Sequence, residues 1–96
     1  MGGVRVDPDV QQQKLIQSVQ PVYPDVARQV GIEGTVRLKI IIAKDGRVRD
    51  LKVLSGEPVL VNASTEAVRK WRYQPMVIDG KPVSVVTTVT LEFRLK

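Results

Sequence analysis

The C-terminal stretch from Val83 to Leu95 alternates without a break. Val83, Val85, Thr87, Val89, Leu91, Phe93 and Leu95 share one parity, and Ser84, Val86, Thr88, Thr90, Glu92 and Arg94 share the other. Successive side chains of a strand point to opposite faces. A period of two sustained this far, in β-branched and aromatic residues, therefore predicts a long strand with one buried face. Such a strand needs neighbours and an apolar cover, and in a chain of 96 residues they must come from the same small domain.

The neighbours are legible. Gly34 opens a second alternating run, with Val36, Leu38, Ile40 and Ile42 on one side and Arg37 and Lys39 on the other. Lys44-Asp45-Gly46-Arg47 is a hairpin turn in which Asp-Gly supplies positive φ. The return strand is Val48 to Leu54. Leu51 and Val53 have one parity and Val48 the other, so a bulge is expected near Arg49-Asp50. From Val59 to Tyr73 the period becomes helical, with Leu60, Ala63 or Ser64, Ala67, Val68 and Trp71 in one stripe, and Gln74-Pro75 ends it. A shorter helix is expected over Asp25 to Val30, entered through Pro24 and closed by Gly31. Asp79-Gly80 makes a second turn between Met76-Val77-Ile78 and the last strand. The hairpin strands must be adjacent, and the helix-linked second and third strands run parallel by a right-handed connection. The expected fold is α+β: a three-stranded antiparallel sheet in the order 2-1-3 with two helices on one face.

The N-terminal part is different in character. Met1-Gly2-Gly3 reads as a leader, and Val4 to Gln13, with Asp7-Pro8-Asp9 and Gln11 to Gln13, as an extended or partly disordered arm. Residues 1–14 are thus set apart from a domain over residues 15–96. Asp7 and Asp9 lack the further oxygen ligands that calcium requires and read as a solvated turn. Leu15, Ile16 and Val19 suffice for one helical turn or a short strand, and the two prolines of Gln20-Pro21-Val22-Tyr23-Pro24 enforce an extended entry to the helix at Asp25. No stretch approaches the length of a membrane span, and the chain reads as a soluble piece of a longer protein.

Chemistry is constrained by what the chain lacks. It has no cysteine and no histidine, which removes thiolate and imidazole metal sites and every histidine-activated nucleophile. The carboxylates are scattered, there is no Gly-rich phosphate loop, and Ser18, Ser55, Ser64 and Ser84 have no base to activate them. The chain reads as a non-enzyme without cofactor or metal. The net charge of +5 is mild. Arg37, Lys39, Lys44, Arg47, Arg49 and Lys52 gather on the first hairpin, but no aromatic interleaves them; they read as a solvated outer face rather than a nucleic-acid platform.

The sheet edges hold the remaining information. The return strand is defended by Arg47, Arg49, Asp50 and Lys52, whereas the last strand carries no lysine, proline or glycine from Val83 to Glu92. An undefended edge is a template for another strand. Either an arm or loop of the same chain covers it, or it is a tolerated liability, or it recognises a partner by strand addition.

Four motifs, in order, carry a resemblance: Gln20-Pro21-Val22-Tyr23-Pro24, Gly31-Ile32-Glu33-Gly34-Thr35-Val36, Asp45-Gly46-Arg47-Val48, and Ala67-Val68-Arg69-Lys70-Trp71-Arg72-Tyr73-Gln74-Pro75. Together they resemble the TonB C-terminal domain family over roughly Leu15 to Leu95. The resemblance implies a periplasmic domain, anchored to the inner membrane in the full-length protein. It implies coupling of an inner-membrane proton-driven motor to TonB-dependent outer-membrane transporters. It also implies a partner-binding set: Gln20, Pro21, Val22, Tyr23 and Pro24 beside the transporter plug, and Val85, Val86, Thr87, Thr88, Val89, Thr90, Leu91 and Glu92 pairing with the transporter's TonB box. A related envelope scaffold or sensory domain that binds another peptide is the alternative. The open edge and hairpin also offer a route to a homodimer by strand exchange.

Overall fold

The computed structural model describes residues 3–95; Met1, Gly2 and Lys96 lie outside the described residues, and with them most of the run read as a leader. Its elements are β1 (Val4–Arg5), α1 (Pro8–Gln12), β2 (Leu15–Gln17), α2 (Asp25–Val30), β3 (Gly34–Ile42), β4 (Val48–Ser55), α3 (Pro58–Val68), β5 (Arg72–Tyr73), β6 (Met76–Ile78), β7 (Lys81–Val83) and β8 (Val85–Phe93). The main sheet has the order β1-β8-β3-β4, and β2-β5 and β6-β7 form two small sheets.

The long central strand β3 pairs antiparallel with β4 on one side and with β8 on the other, Gly34 opposite Phe93 through Ile42 opposite Val85. Alternation sorts their side chains. Val36, Leu38, Ile40 and Ile42 of β3, with Val85, Val89, Leu91 and Phe93 of β8, are buried in one core that also takes Ala27, Leu60, Val68, Trp71 and Tyr73. Burial of so many aliphatic side chains is the main favourable term available to a chain with few aromatics. The parity change in β4 is resolved by a bulge: Ile41 opposes Asp50 but Ile42 opposes Val48, which leaves Arg49 extra. A second irregularity lies between Arg37 and Leu38, which oppose Ser55 and Val53.

The hairpin turn at Asp45-Gly46 needs its glycine twice. Gly46 has φ of 91°, and a Cβ there would collide with the Tyr73 carbonyl oxygen. That close approach lets the Tyr73 N–H donate to the Gly46 carbonyl at 2.8 Å, docking the chain after α3 onto the hairpin end. The second turn has positive φ at both Asp79 and Gly80, the signature of a two-residue hairpin between β6 and β7.

Several expectations need correction. The main sheet is mixed and four-stranded, because β1, from the arm expected to be extended or partly disordered, adds to β8 in parallel, Val4 with Val85 and Arg5 with Val86. The arm also contains a third helix, α1, with Pro8 in its first turn and the Asp7 carboxylate accepting from the Asp9 N–H at 2.8 Å. The alternation begun at Val83 does not make one strand: Val83 belongs to the β6-β7 hairpin, and β8 starts at Val85. The predicted long helix ends at Val68, so Trp71 and Tyr73 are not on a helical stripe. Tyr73 instead pairs with Leu15 in an antiparallel ladder, where its backbone groups find strand partners.

Candidate functional site

The edge strands of the main sheet are β4 and the two-residue β1, and beyond β1 the outer side of β8 is itself an edge. On β8 the outer side is only partly paired. The Val4 N–H donates to the Ser84 carbonyl at 2.8 Å and the Val6 N–H to the Val86 carbonyl at 3.0 Å, after which the strand pairing ends and the chain enters α1, which packs against β8. Backbone groups of an antiparallel strand alternate between its two neighbours. Since Val86 turns to the arm, Thr88, Thr90 and Glu92 turn their N–H and C=O groups to the same outer side. The ladder with β1 ends at Val86.

Beside this unpaired stretch lies a cleft of about 230 Å³, lined by Gln12, Leu15, Ser18, Val19, Gln20, Pro21, Trp71, Thr90, Leu91 and Glu92. The far wall, residues 12–21, is held in place by the small β2-β5 sheet and by further hydrogen bonds. The Gln74 N–H donates to the Lys14 carbonyl at 2.8 Å. The Trp71 Nε1–H donates to the Val19 carbonyl at 2.9 Å, satisfying an indole that is otherwise buried. Beyond the wall, the Tyr23 hydroxyl donates to the Ile32 carbonyl, and its ring meets Phe93 edge-on with centroids 5.4 Å apart.

The sequence-derived site residues therefore divide. Gln20 and Pro21 meet Thr90, Leu91 and Glu92 across the cleft. Thr88 stands half-buried on the same edge. Val85 is in the core, and Val86 and Thr87 are buried beside the arm, with the Thr87 hydroxyl donating to the Val6 carbonyl at 2.9 Å. Val89 and Leu91 face the core. Tyr23 packs inward against Phe93, and Pro24 caps α2 in extended conformation. Val22 is 80% exposed and does not line the cleft. Sequence reasoning missed Gln12, Leu15, Ser18, Val19 and Trp71 as wall residues. The Trp71 indole, which demands a partner when buried, was the usable signal.

Electrostatics around the edge are sparse. Glu92 pairs with Arg94 at 3.2 Å, with both side chains largely exposed. Arg37 and Lys39 stand next to Thr90 and Thr88 in the ladder, and Lys39 lies opposite Lys52. Desolvation, with Glu33 adding to it, raises the Tyr23 phenol above its ordinary value, while Arg28 and Arg94 oppose the shift. Burial pushes the Tyr73 phenol up to about 12. What the site presents is a row of backbone donors and acceptors beside a cleft whose far wall mixes Gln12, Ser18 and Gln20 with Leu15, Val19 and Pro21. That arrangement suits an extended peptide.

Comparison with known proteins agrees with this architecture. Residues 19–95 match the family described as the Gram-negative bacterial TonB protein C-terminal. Protein TonB of Klebsiella pneumoniae is 42% identical over 84 residues, covering 85% of this chain and 32% of that protein. Protein TonB of Vibrio cholerae is 36% identical over 80 residues, covering 81% of this chain and 33% of that protein. The chain thus spans about a third of the length of these curated relatives. The solution structure of the Pseudomonas aeruginosa TonB C-terminal domain superposes with a TM-score of 0.70 at 33% identity, covering 86% of each chain. The TonB2 protein of Vibrio anguillarum gives 0.62 at 34% identity, covering 90% of this chain and 84% of that one.

Proposed function

The chain belongs to the TonB C-terminal family, and on that premise we propose that it is the periplasmic docking domain of an energy transducer. It binds the TonB box, a short N-terminal segment of an outer-membrane transporter, as an added strand on β8. The rest of the protein, anchored in the inner membrane, links it to a proton-driven motor. The domain performs no chemistry of its own. Among the described residues no helix is long and apolar enough to cross a membrane, so in this reading the anchor belongs to the part of the protein outside this chain.

One observation carries the reading: the unpaired outer edge of β8 at Thr88, Thr90 and Glu92 beside the Gln20-Pro21 wall. Each of these residues offers one donor and one acceptor, and a backbone hydrogen bond contributes about 1 kcal/mol net. Ordering a flexible peptide offsets about 2–5 kcal/mol of that. The contact is therefore weak at rest and reversible, as a transporter that is engaged and released requires. Tension along the strand axis loads all of these bonds together, so a ladder of modest bonds transmits force. A strand from a second copy would use the same edge, so dimer and docked peptide exclude each other.

The test is titration of the labelled domain with a synthetic peptide of a transporter's N-terminal segment. Thr90→Pro removes a donor on the outer edge and spares the ladder to β3, because the Thr90 N–H faces away from it. Loss of binding in a folded Thr90→Pro domain is expected. Unchanged binding would remove β8 as the docking edge.

A further inference from the structure

The edge that supports strand addition is not wholly vacant, and its occupant comes from the same chain. We infer that the N-terminal arm, Val4 to Gln11, is a displaceable stand-in for the partner strand, an autoinhibitory latch on the docking edge. This rests on the docking reading above and concerns the regulation of that site.

The geometry is that of strand addition in miniature. β1 lies parallel to β8, with Val4 opposite Val85 and Arg5 opposite Val86. Its amides use the Ser84 and Val86 carbonyls, and the Val6 carbonyl just beyond it takes the Thr87 hydroxyl. A peptide pairing along β8 from Val86 to Glu92 needs the Val86 carbonyl, which the Val6 N–H already occupies. Beyond Val6 the chain enters α1, which packs against β8. Arm and full-length partner strand therefore cannot be seated together.

The latch is also built to be weak. β1 is two residues long, and its Val4 side chain is exposed. Docking of α1 buries Gln11 to 1% exposure and leaves both its amide nitrogen and its amide oxygen without a hydrogen-bond partner. A buried amide without a protein hydrogen-bond partner opposes the state that buries it. Release of the arm returns Gln11 to solvent, and so the desolvation cost of the closed state favours exchange for an incoming strand. When the competent state is only fractionally populated, apparent affinity falls by that fraction.

Two substitutions at positions outside β8 move the latch in opposite directions. A Cβ at Gly3 would collide with the Ser84 carbonyl, so Gly3→Ala should loosen the arm. Gln11→Leu fills the same space without unpaired polar atoms and should tighten it. The experiment titrates the full chain, as wild type, Gly3→Ala, Gln11→Leu and Thr90→Pro, with the synthetic transporter peptide, and follows amide exchange at Val6. Gly3→Ala should bind roughly tenfold more tightly and Gln11→Leu several-fold more weakly, and peptide should abolish protection of the Val6 amide. If Gly3→Ala and Gln11→Leu bind as wild type does and Val6 stays protected with peptide bound, while Thr90→Pro loses binding, the arm is no latch and the docking edge stands. If Thr90→Pro binds like wild type, or no chain binds at all, the docking reading falls and the latch falls with it.

Discussion

The two edges of the main sheet solve the same problem by opposite means. β4 carries Arg49, Asp50 and Lys52 in exposed positions and two register irregularities, all of which discourage a further strand. β8 runs from Val85 to Thr90 without a charge and pairs in unbroken register with β3. Its outer side is covered at Val85 and Val86 by β1 and left unpaired beyond. One edge is closed by its own side chains; the other is closed only where a separate segment lies on it. The difference teaches that edge protection here is not a uniform requirement of the fold. It is withheld along one half-strand, beside a wall that is held in place by specific hydrogen bonds.

The largest expected effect breaks the contrast outright. Thr90→Pro should weaken peptide binding at least about a hundredfold, since proline removes the donor and its ring blocks close approach. A proline at an outward-facing position of β4 should leave affinity unchanged in the same titration. A smaller effect sharpens the role of the wall. Trp71→Phe strips the Val19 carbonyl of its indole donor and should cost about 1–3 kcal/mol in denaturant unfolding. The same variant should weaken peptide binding several-fold, because residues 18–21 lose their tether.

Alkaline pH tests whether the two sides of the sheet share one core. The Tyr73 phenol ionises near 10 when unfolded and at about 12 when folded. Its contribution to stability is therefore fully present below pH 10 and is lost as pH climbs towards 12. Tyr23 shifts in the same direction, mainly through desolvation. Denaturant midpoints should fall over that interval, and absorbance titration of tyrosine should show ionisation coupled to unfolding. The smallest expected effect is that of Thr88→Ala. Its backbone is what the partner uses, so affinity should change by no more than about twofold, within the ±0.5 kcal/mol usual for a surface substitution.

Much of the fold is written in residue periodicity. The β3 and β8 alternations, both Asp-Gly turns and the extra residue at Arg49 follow from parity and turn chemistry, which are local. The undefended character of β8 is legible for the same reason. The arm is not. Val4-Arg5 is too short to show a period, and its pairing to Val85-Val86 is decided by an acceptor row some eighty residues away. The polar run Gln11 to Gln13 gives no sign that Gln11 is buried, since burial of an unpaired amide contradicts the rule by which sequence is read. Trp71 fits the helical stripe by spacing alone, yet it lies beyond the end of α3. The ladder between Leu15 and Tyr73 wins because it satisfies backbone groups that a longer helix would keep from the neighbouring strand.

The most direct measurement of the central claim is residue-resolved amide exchange on the domain with and without the transporter peptide. Strand addition predicts that the amides of Thr88, Thr90 and Glu92 gain protection together on peptide binding, while the amides on the outer edge of β4 do not change. Binding with no added protection at Thr88, Thr90 and Glu92, or with new protection along β4, would contradict the account.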